Sequence, residues 1–270
     1  MGIVAKLMRQ AEERGYSGVN ATAKICQDII LKAIAESDLS RNVTIKGGVV
    51  MREITNDIRR ATQDLDIDFI RYSLNDDSID SFISRINVLD GVVIQRIGII
   101  TELSQQDYHG KRVNISVTDS DGVRLQSKID FGVHTHIAIE QEEFCFEVGI
   151  DDEGVSLLIN SKEQMFTEKL RSLLKFGSAS TRYKDIFDMY YLSSHISIEL
   201  LKDCIDEYII NDPGMKEDSQ QDIINRLMKT FSNKRYLNRL SGSDKNWLKI
   251  DPETVLSELL DYLRKLNDQN

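Results

Sequence analysis

Val43-Thr44-Ile45-Lys46-Gly47-Gly48 is followed by a helical stretch from Val49 to about Ile58, and then by Arg59-Arg60-Ala61-Thr62-Gln63-Asp64-Leu65-Asp66-Ile67-Asp68-Phe69-Ile70. The first segment reads as a short apolar strand stopped by two glycines. From Asp64 the last alternates between acidic and apolar residues, so it reads as a strand with one buried face. Glycines at a strand end that open a helix let the backbone approach a ligand closely, and the unpaired N–H groups of the helix start favour an anion there. Asp64 and Asp66 lie two apart on a strand, so both carboxylates project from one face. Such a pair suits Mg²⁺, which takes oxygen ligands and completes its shell with substrate phosphates. A phosphate cradle beside a carboxylate pair is what metal-assisted phosphoryl or nucleotidyl transfer needs.

Outward from this block the texture changes twice. Towards the N-terminus the first 37 residues read as helix, with Ile25, Cys26, Ile29, Ile30, Ala33 and Ile34 on one face. After it, Asp76 to Leu89 is a second amphipathic helix. From Val92 to Ile159, β-branched runs are cut by turn signals at His109-Gly110, Asp119-Ser120-Asp121-Gly122 and Asp151-Asp152-Glu153-Gly154, which predicts antiparallel strands and hairpins. Ser161-Lys162-Glu163-Gln164 has the spacing of a capping box, and everything beyond it is helical in pattern. The expected organisation is α+β, with a mixed-sheet core over 1–160 and an all-helical domain over 161–270.

A third carboxylate for two-metal chemistry should come from a later, neighbouring strand. Asp130, in Lys128-Ile129-Asp130-Phe131, faces away from the aliphatic side of its strand and is the candidate. On the helix from Glu163, Lys169 flanks the apolar stripe of Phe166, Leu170, Leu173 and Leu174, where its stem packs and its ammonium reaches a cleft. Asp185 lies on the boundary of the next helix and is a partner for Lys169; Asp188 follows Lys184 by four, the spacing of an ordinary intrahelical ion pair.

The composition sets limits. The 270 residues include 34 Lys+Arg and 44 Asp+Glu, a formal net charge of −10. That surplus argues against a generic coat for nucleic acid or anionic membrane, while leaving room for a local basic site. Arg41, Arg52, Arg59, Arg60 and Arg71 gather around the glycine–aspartate block. Ile223 to Leu240 carries Arg226, Lys229, Lys234, Arg235 and Arg239 without an acid, together with Phe231 and Tyr236, a composition suited to an RNA backbone and an unpaired end. Cys26, Cys145 and Cys204 form no paired motif, which predicts a reducing compartment. No apolar run reaches the roughly 18 residues that span a bilayer, and the N-terminus has neither a signal-peptide core nor a myristoylation pattern. A cytoplasmic location is the expectation. His134 and His136 alternate without a third ligand nearby, His109 and His195 have no evident partner, and no nucleophile–base motif is present.

Lys46-Gly47-Gly48, Arg59-Arg60-x-Thr62-x-Asp64-Leu65-Asp66, Glu168-Lys169-Leu170 and Arg182-x-x-Lys184-Asp185-Ile186-x-Asp188-Met189-Tyr190 together resemble the AbiEii/AbiGii family of toxin nucleotidyltransferases, within the DNA-polymerase-β-like nucleotidyltransferase superfamily. The matching segments span roughly residues 20–195. The chain has Gly-Gly where the superfamily often has Gly-Ser, and a longer gap before the two aspartates. The resemblance implies a nucleotidyltransferase-type mixed sheet followed by a helical domain. It implies an NTP whose triphosphate sits on Gly47 and Gly48; Lys46, Arg60 and Lys169 are the further nucleotide contacts expected around it. Two Mg²⁺ ions would be held by Asp64, Asp66 and Asp130, and Lys169 and Asp185 would join the site from the helical half. As the toxin of a type IV toxin–antitoxin or phage-defence system, such a protein transfers NMP to an acceptor hydroxyl, with the 3′ end of tRNA as the expected acceptor. It is encoded beside a cognate antitoxin, often without stable contact between the two. The same core also serves adenylyl transfer to a small molecule or protein, and a catalytically silent NTP-binding module is the reading from another class.

Overall fold

The computed structural model describes residues 2–103, 110–136 and 139–267; the turn signal at His109 falls outside them. The chain forms two compact units, Met1–Asn160 and Ser161–Asn270.

The first unit opens with α1 (Ile3–Glu13) and α2 (Gly18–Glu36). One continuous helix was expected here, but Gly15 and Gly18 both take positive φ (86° and 52°) and divide it. Next come β1 (Val43–Lys46), α3 (Gly47–Thr55), a 3₁₀ turn at Ile58–Arg60, β2 (Asp64–Phe69) and α4 (Asp76–Arg85). Helix α3 begins at the glycines themselves and stops early, where Asn56 turns left-handed with φ 46°. The remaining strands are β3 (Val92–Glu102), β4 (Lys111–Asp119), β5 (Arg124–Val133), β6 (Glu142–Phe146) and β7 (Val155–Ile159).

Among the described residues these seven strands form one mixed sheet, in the order β3-β4-β5-β2-β1-β7-β6. Strands β3, β4 and β5 are joined as antiparallel hairpins, as are β6 and β7. The expectation of antiparallel pairing holds within these hairpins. The long connections out of β2 and β1 allow crossovers, and β5 lies parallel to β2 and β7 parallel to β1.

The alternation in sequence becomes two chemically distinct faces. Ile45, Leu65, Ile67, Phe69, Val113, Ile115, Ile129 and Phe131 are all fully buried on one side. There Phe82 of α4 meets Phe69 and Phe131, with ring centroids 5.2 and 5.5 Å apart. The opposite face carries Thr44, Lys46, Asp64, Asp66, Asp68, Asp130 and Arg112. Helix α2 is buried over most of its length and takes a charge inside with it. Lys24 Nζ meets Asp28 Oδ1 at 2.6 Å with both side chains buried, and donates to the Glu147 carbonyl at 3.1 Å. Asp28 Oδ2 accepts from the Gly149 N–H at 3.1 Å, so the pair ties α2 to the segment ahead of β7. Burial pushes the Asp28 carboxyl upward, and Lys24 opposes that.

The second unit comprises α5 (Lys162–Phe176), α6 (Tyr183–Ser193), α7 (Ile198–Ile205) with a π-helical extension over Asp206–Ile210, α8 (Gln220–Phe231), α9 (Lys234–Ser241) and α10 (Pro252–Asn267). Ser161 Oγ caps α5 by accepting from the Gln164 N–H at 3.1 Å. The Gln164 amide turns forward to Glu168 at 3.1 Å. The expected stripe of Phe166, Leu170, Leu173 and Leu174 is buried. Among the described residues no helix is long and apolar enough to cross a membrane, and Cys26, Cys145 and Cys204 are all free thiols.

Breaking the buried Lys24–Asp28 pair from one side strands an interior charge. Asp28→Ala is expected to cost roughly 3 kcal/mol, read as a lowered urea midpoint, whereas Asp28→Asn, which keeps an acceptor for Gly149 and Lys24, should cost less.

Candidate active site

Strand β1 delivers the chain to Lys46, and α3 begins at the next residue. Gly47 has φ +67°, and a Cβ there would collide with the Asp66 carboxylate. A Cβ on Gly48 would lie 2.5 Å from Thr62 Oγ1. Both glycines are therefore required by close approach, and Gly47 by backbone conformation as well. The consequence is local: the N-terminus of α3, which has no side-chain cap, stands directly against an Asp66 oxygen.

The acidic residues form a row across the sheet. Lys46 is in register with Asp66, Asp66 with Asp130, and Asp130 with Arg112, on β1, β2, β5 and β4 in turn. Asp64 lies beside Lys128 in the same way. Asp64, Asp68 and Asp130 each have a cation close by. Lys46 Nζ meets Asp68 Oδ2 at 2.7 Å, with both side chains buried. Lys128 Nζ stands 3.0 Å from Asp64 Oδ1, although its orientation leaves that buried oxygen without a hydrogen bond. Arg112 grips Asp130 with both arms, Nε to Oδ1 and Nη2 to Oδ2, each at 2.7 Å, and its Nη2 is 3.9 Å from Asp64 Oδ2. The hydrogen bonds to Asp130, followed by the charges of Asp130, Asp64 and Asp66, hold the Arg112 guanidinium well above its usual value.

Asp64 and Asp66 supply oxygen donors on one face, next to a helix terminus whose uncapped N–H groups favour an anion; the set fits a hard divalent cation that shares its ligands with a substrate. Among the described residues no group of three or more His, Cys, Asp or Glu side chains is placed to hold a metal ion together. The reason at Asp130 is visible: it is 3% exposed and both its oxygens are taken by Arg112. Arg60 is buried on its 3₁₀ turn. The neighbouring arginines are engaged elsewhere. Arg52 is held by Glu53 and Gln27, Arg59 by Asp57, and Arg41 by Glu143 on the surface.

In the second unit, Lys169 of α5 lies between two carboxylates of α6, 3.1 Å from Asp185 Oδ1 and 2.9 Å from Asp188 Oδ2. Asp188 is 0% exposed and also accepts from Trp247 Nε1 at 3.0 Å. It follows Lys184 by four, the spacing of an intrahelical ion pair, and its carboxylate is turned inward to Lys169 and Trp247. The basic stretch is also reorganised by folding. Phe231 and Tyr236 are buried, so neither presents a ring for stacking. Arg226 Nε donates to the Leu174 carbonyl at 3.1 Å and Arg239 to the Ser178 carbonyl. These two arginines brace α8 and α9 against the end of α5.

Sequence reasoning did not single out Arg112, Lys128 or Trp247. The first two were within reach, because counting outward from the Asp119–Gly122 turn sets Arg112 opposite Asp130. Trp247 is remote from Asp188 in sequence and carries no such signal.

The chain matches the model of the family described as nucleotidyl transferase AbiEii toxin, type IV TA system, over residues 29–258. No curated protein matches it. Among solved structures it is similar to an antigenic nucleotidyltransferase-like protein from Paracoccidioides brasiliensis, with 12% identity, 80% of this chain and 91% of that chain covered, and a TM-score of 0.45.

His134, just past β5, is buried and lies 2.8 Å from the Gln141 amide nitrogen through Nε2. Burial lowers its pKa, against the pull of Asp68. The folded chain then binds fewer protons than the unfolded one, whose imidazole titrates near ~6.5. Stability is expected to hold above that value and fall as pH drops through the lower folded pKa. His134→Phe should flatten this part of a plot of thermal midpoint against pH.

Proposed function

This chain belongs to the AbiEii family of nucleotidyltransferase toxins, and we propose that it transfers a nucleoside monophosphate from an NTP to the 3′-terminal hydroxyl of an RNA, with tRNA as the acceptor, and thereby arrests growth. The observation that carries this reading is the contact of Gly47 with Asp66. It joins an anion-binding helix terminus to a metal-binding carboxylate at one point, as transfer of an α-phosphoryl group requires.

In this reading the triphosphate lies on the Gly47-Gly48 turn, with its charge met by the N–H groups that open α3. Lys46, locked to Asp68, fixes the strand end that presents the turn. Asp64 and Asp66 would hold Mg²⁺, which would neutralise phosphate charge and favour the ionised form of the attacking hydroxyl. The acceptor oxygen forms a bond to the α-phosphorus, the bond to the β-phosphate oxygen breaks, pyrophosphate leaves and the hydroxyl proton passes to solvent. Asp130 is the third carboxylate of the row, and its part is to anchor Arg112. Arg60 is assigned to the nucleotide by its place beside the glycine–aspartate block, and Lys169, oriented by Asp185 and Asp188, to phosphate charge on the family likeness. The reaction takes place in the cytoplasm, where NTPs and tRNA are found, and an antitoxin encoded nearby restrains it.

The test incubates the purified chain with total tRNA, Mg²⁺ and each of the four α-labelled NTPs in turn. Label should enter RNA with at least one NTP and be abolished by chelation. Asp64→Asn and Asp66→Asn should each lower the rate by about 10²–10³-fold, the scale of several kcal/mol of lost charge stabilisation. Absence of label with all four nucleotides would overturn the reading.

A further inference from the structure

The acceptor in the reaction above must also be held, and the stretch that its sequence recommended, α8 and α9, has its aromatic residues inside and two of its arginines bound to backbone carbonyls. A different surface is open. On the polar face of the sheet beyond β2, Gln95 of β3, Asn114 of β4, and Arg124 and Gln126 of β5 are all exposed. They stand beside Lys128 and Arg112, whose side chains are 38% and 34% exposed. The register places Gln95 beside Ser116, Ser116 beside Gln126 and Asn114 beside Lys128, so these side chains share one face. Arg124 Nη2 reaches Ser116 Oγ at 3.2 Å. The acids of this region, Asp64 and Asp130, are the ones already facing Lys128 and Arg112. What remains is a strip of amides and cations, bordered on β3 by Val93 and Ile97, in a chain of net charge −10.

Its position follows from strand order. The glycine turn ends β1, the carboxylates stand on β2, and the strip occupies β5, β4 and β3 on the far side. Neighbouring strands are about 4.8 Å apart, so the carboxylates lie between the triphosphate turn and the strip. In an in-line displacement the attacking oxygen enters opposite the leaving group. Pyrophosphate departs on the glycine side, so the acceptor approaches over β5 and β4. The Arg112 fork uses Nε and Nη2 on Asp130, which leaves its Nη1 end to face a phosphate.

We propose that the exposed face of β3, β4 and β5 is the platform for a single-stranded RNA 3′ end, its phosphates against Arg112, Lys128 and Arg124 and its bases within reach of the amides of Gln95, Asn114 and Gln126. A sheet face suits a single strand, whose base edges are open to side-chain hydrogen bonds, better than a duplex. This rests on the proposed RNA acceptor and assigns it a surface.

The experiment measures binding of a 5′-fluorescein-labelled single-stranded RNA by anisotropy across a salt series, without NTP. Arg124→Glu combined with Asn114→Glu is expected to weaken binding about tenfold or more. It should also reduce the slope of log K against log salt by about 0.7, the value for one phosphate no longer neutralised on a single strand. Lys229→Glu with Arg235→Glu should leave the affinity within about twofold of wild type. Thermal midpoints and NTP binding should be unchanged in both, which separates a docking defect from a folding defect. Unchanged RNA affinity in the sheet variant, or a loss confined to the helical variant, would overturn the platform. A wild-type chain that labels tRNA while the sheet variant binds RNA normally would overturn the platform alone, and a wild-type chain that labels no RNA would overturn the acceptor reading beneath it.

Discussion

Four carboxylates on one face of a sheet repel one another and, where buried, are costly to leave unpaired. Asp64, Asp66, Asp68 and Asp130 meet that condition at the centre of the first unit, and much of its polar face is arranged around it. Lys46 lies against Asp68, Lys128 against Asp64, and Arg112 against Asp130. The cations come from three strands, each in lateral register with the acidic row. The pairing keeps the row folded before any substrate arrives. It also leaves Asp64 Oδ1 without a hydrogen bond, a feature suited to a group that must still accept a ligand.

A similar arrangement recurs in the second unit. Lys169 is held by Asp185 and Asp188, and Asp188 in turn by the indole of Trp247. A lysine flanked by two carboxylates has little freedom left to rotate, so its ammonium is oriented in advance. Arginine serves where the partner is a buried carboxylate that takes two parallel bonds, as Asp130 does; lysine serves where a single point of charge suffices.

Much of the fold was legible because periodicity is a local property. The alternation of Asp64 to Phe69 marked a strand with unlike faces, the two glycines marked the start of α3, and the turn at Asp119–Gly122 marked the β4–β5 hairpin. The division of the N-terminal helix was not legible from the apolar spacing, which carries no mark of the left-handed backbone that Gly15 and Gly18 take. The parallel pairing of β5 with β2 and of β7 with β1 was not readable, since it depends on how long connections cross rather than on any residue in the strands.

The sequence by itself determined the chemistry on offer: a glycine turn, a pair of aspartates on one strand face, a lysine at the edge of an apolar stripe, and a family likeness that the match over residues 29–258 bears out. Tertiary structure decided which groups meet. It gave Asp130 to Arg112, turned Asp188 inward to Lys169 and Trp247, and took Phe231 and Tyr236 out of solvent. Each outcome depends on burial and on lateral register between strands or helices distant in sequence, and those are set by the packing of the whole unit rather than by the spacing of neighbours along the chain.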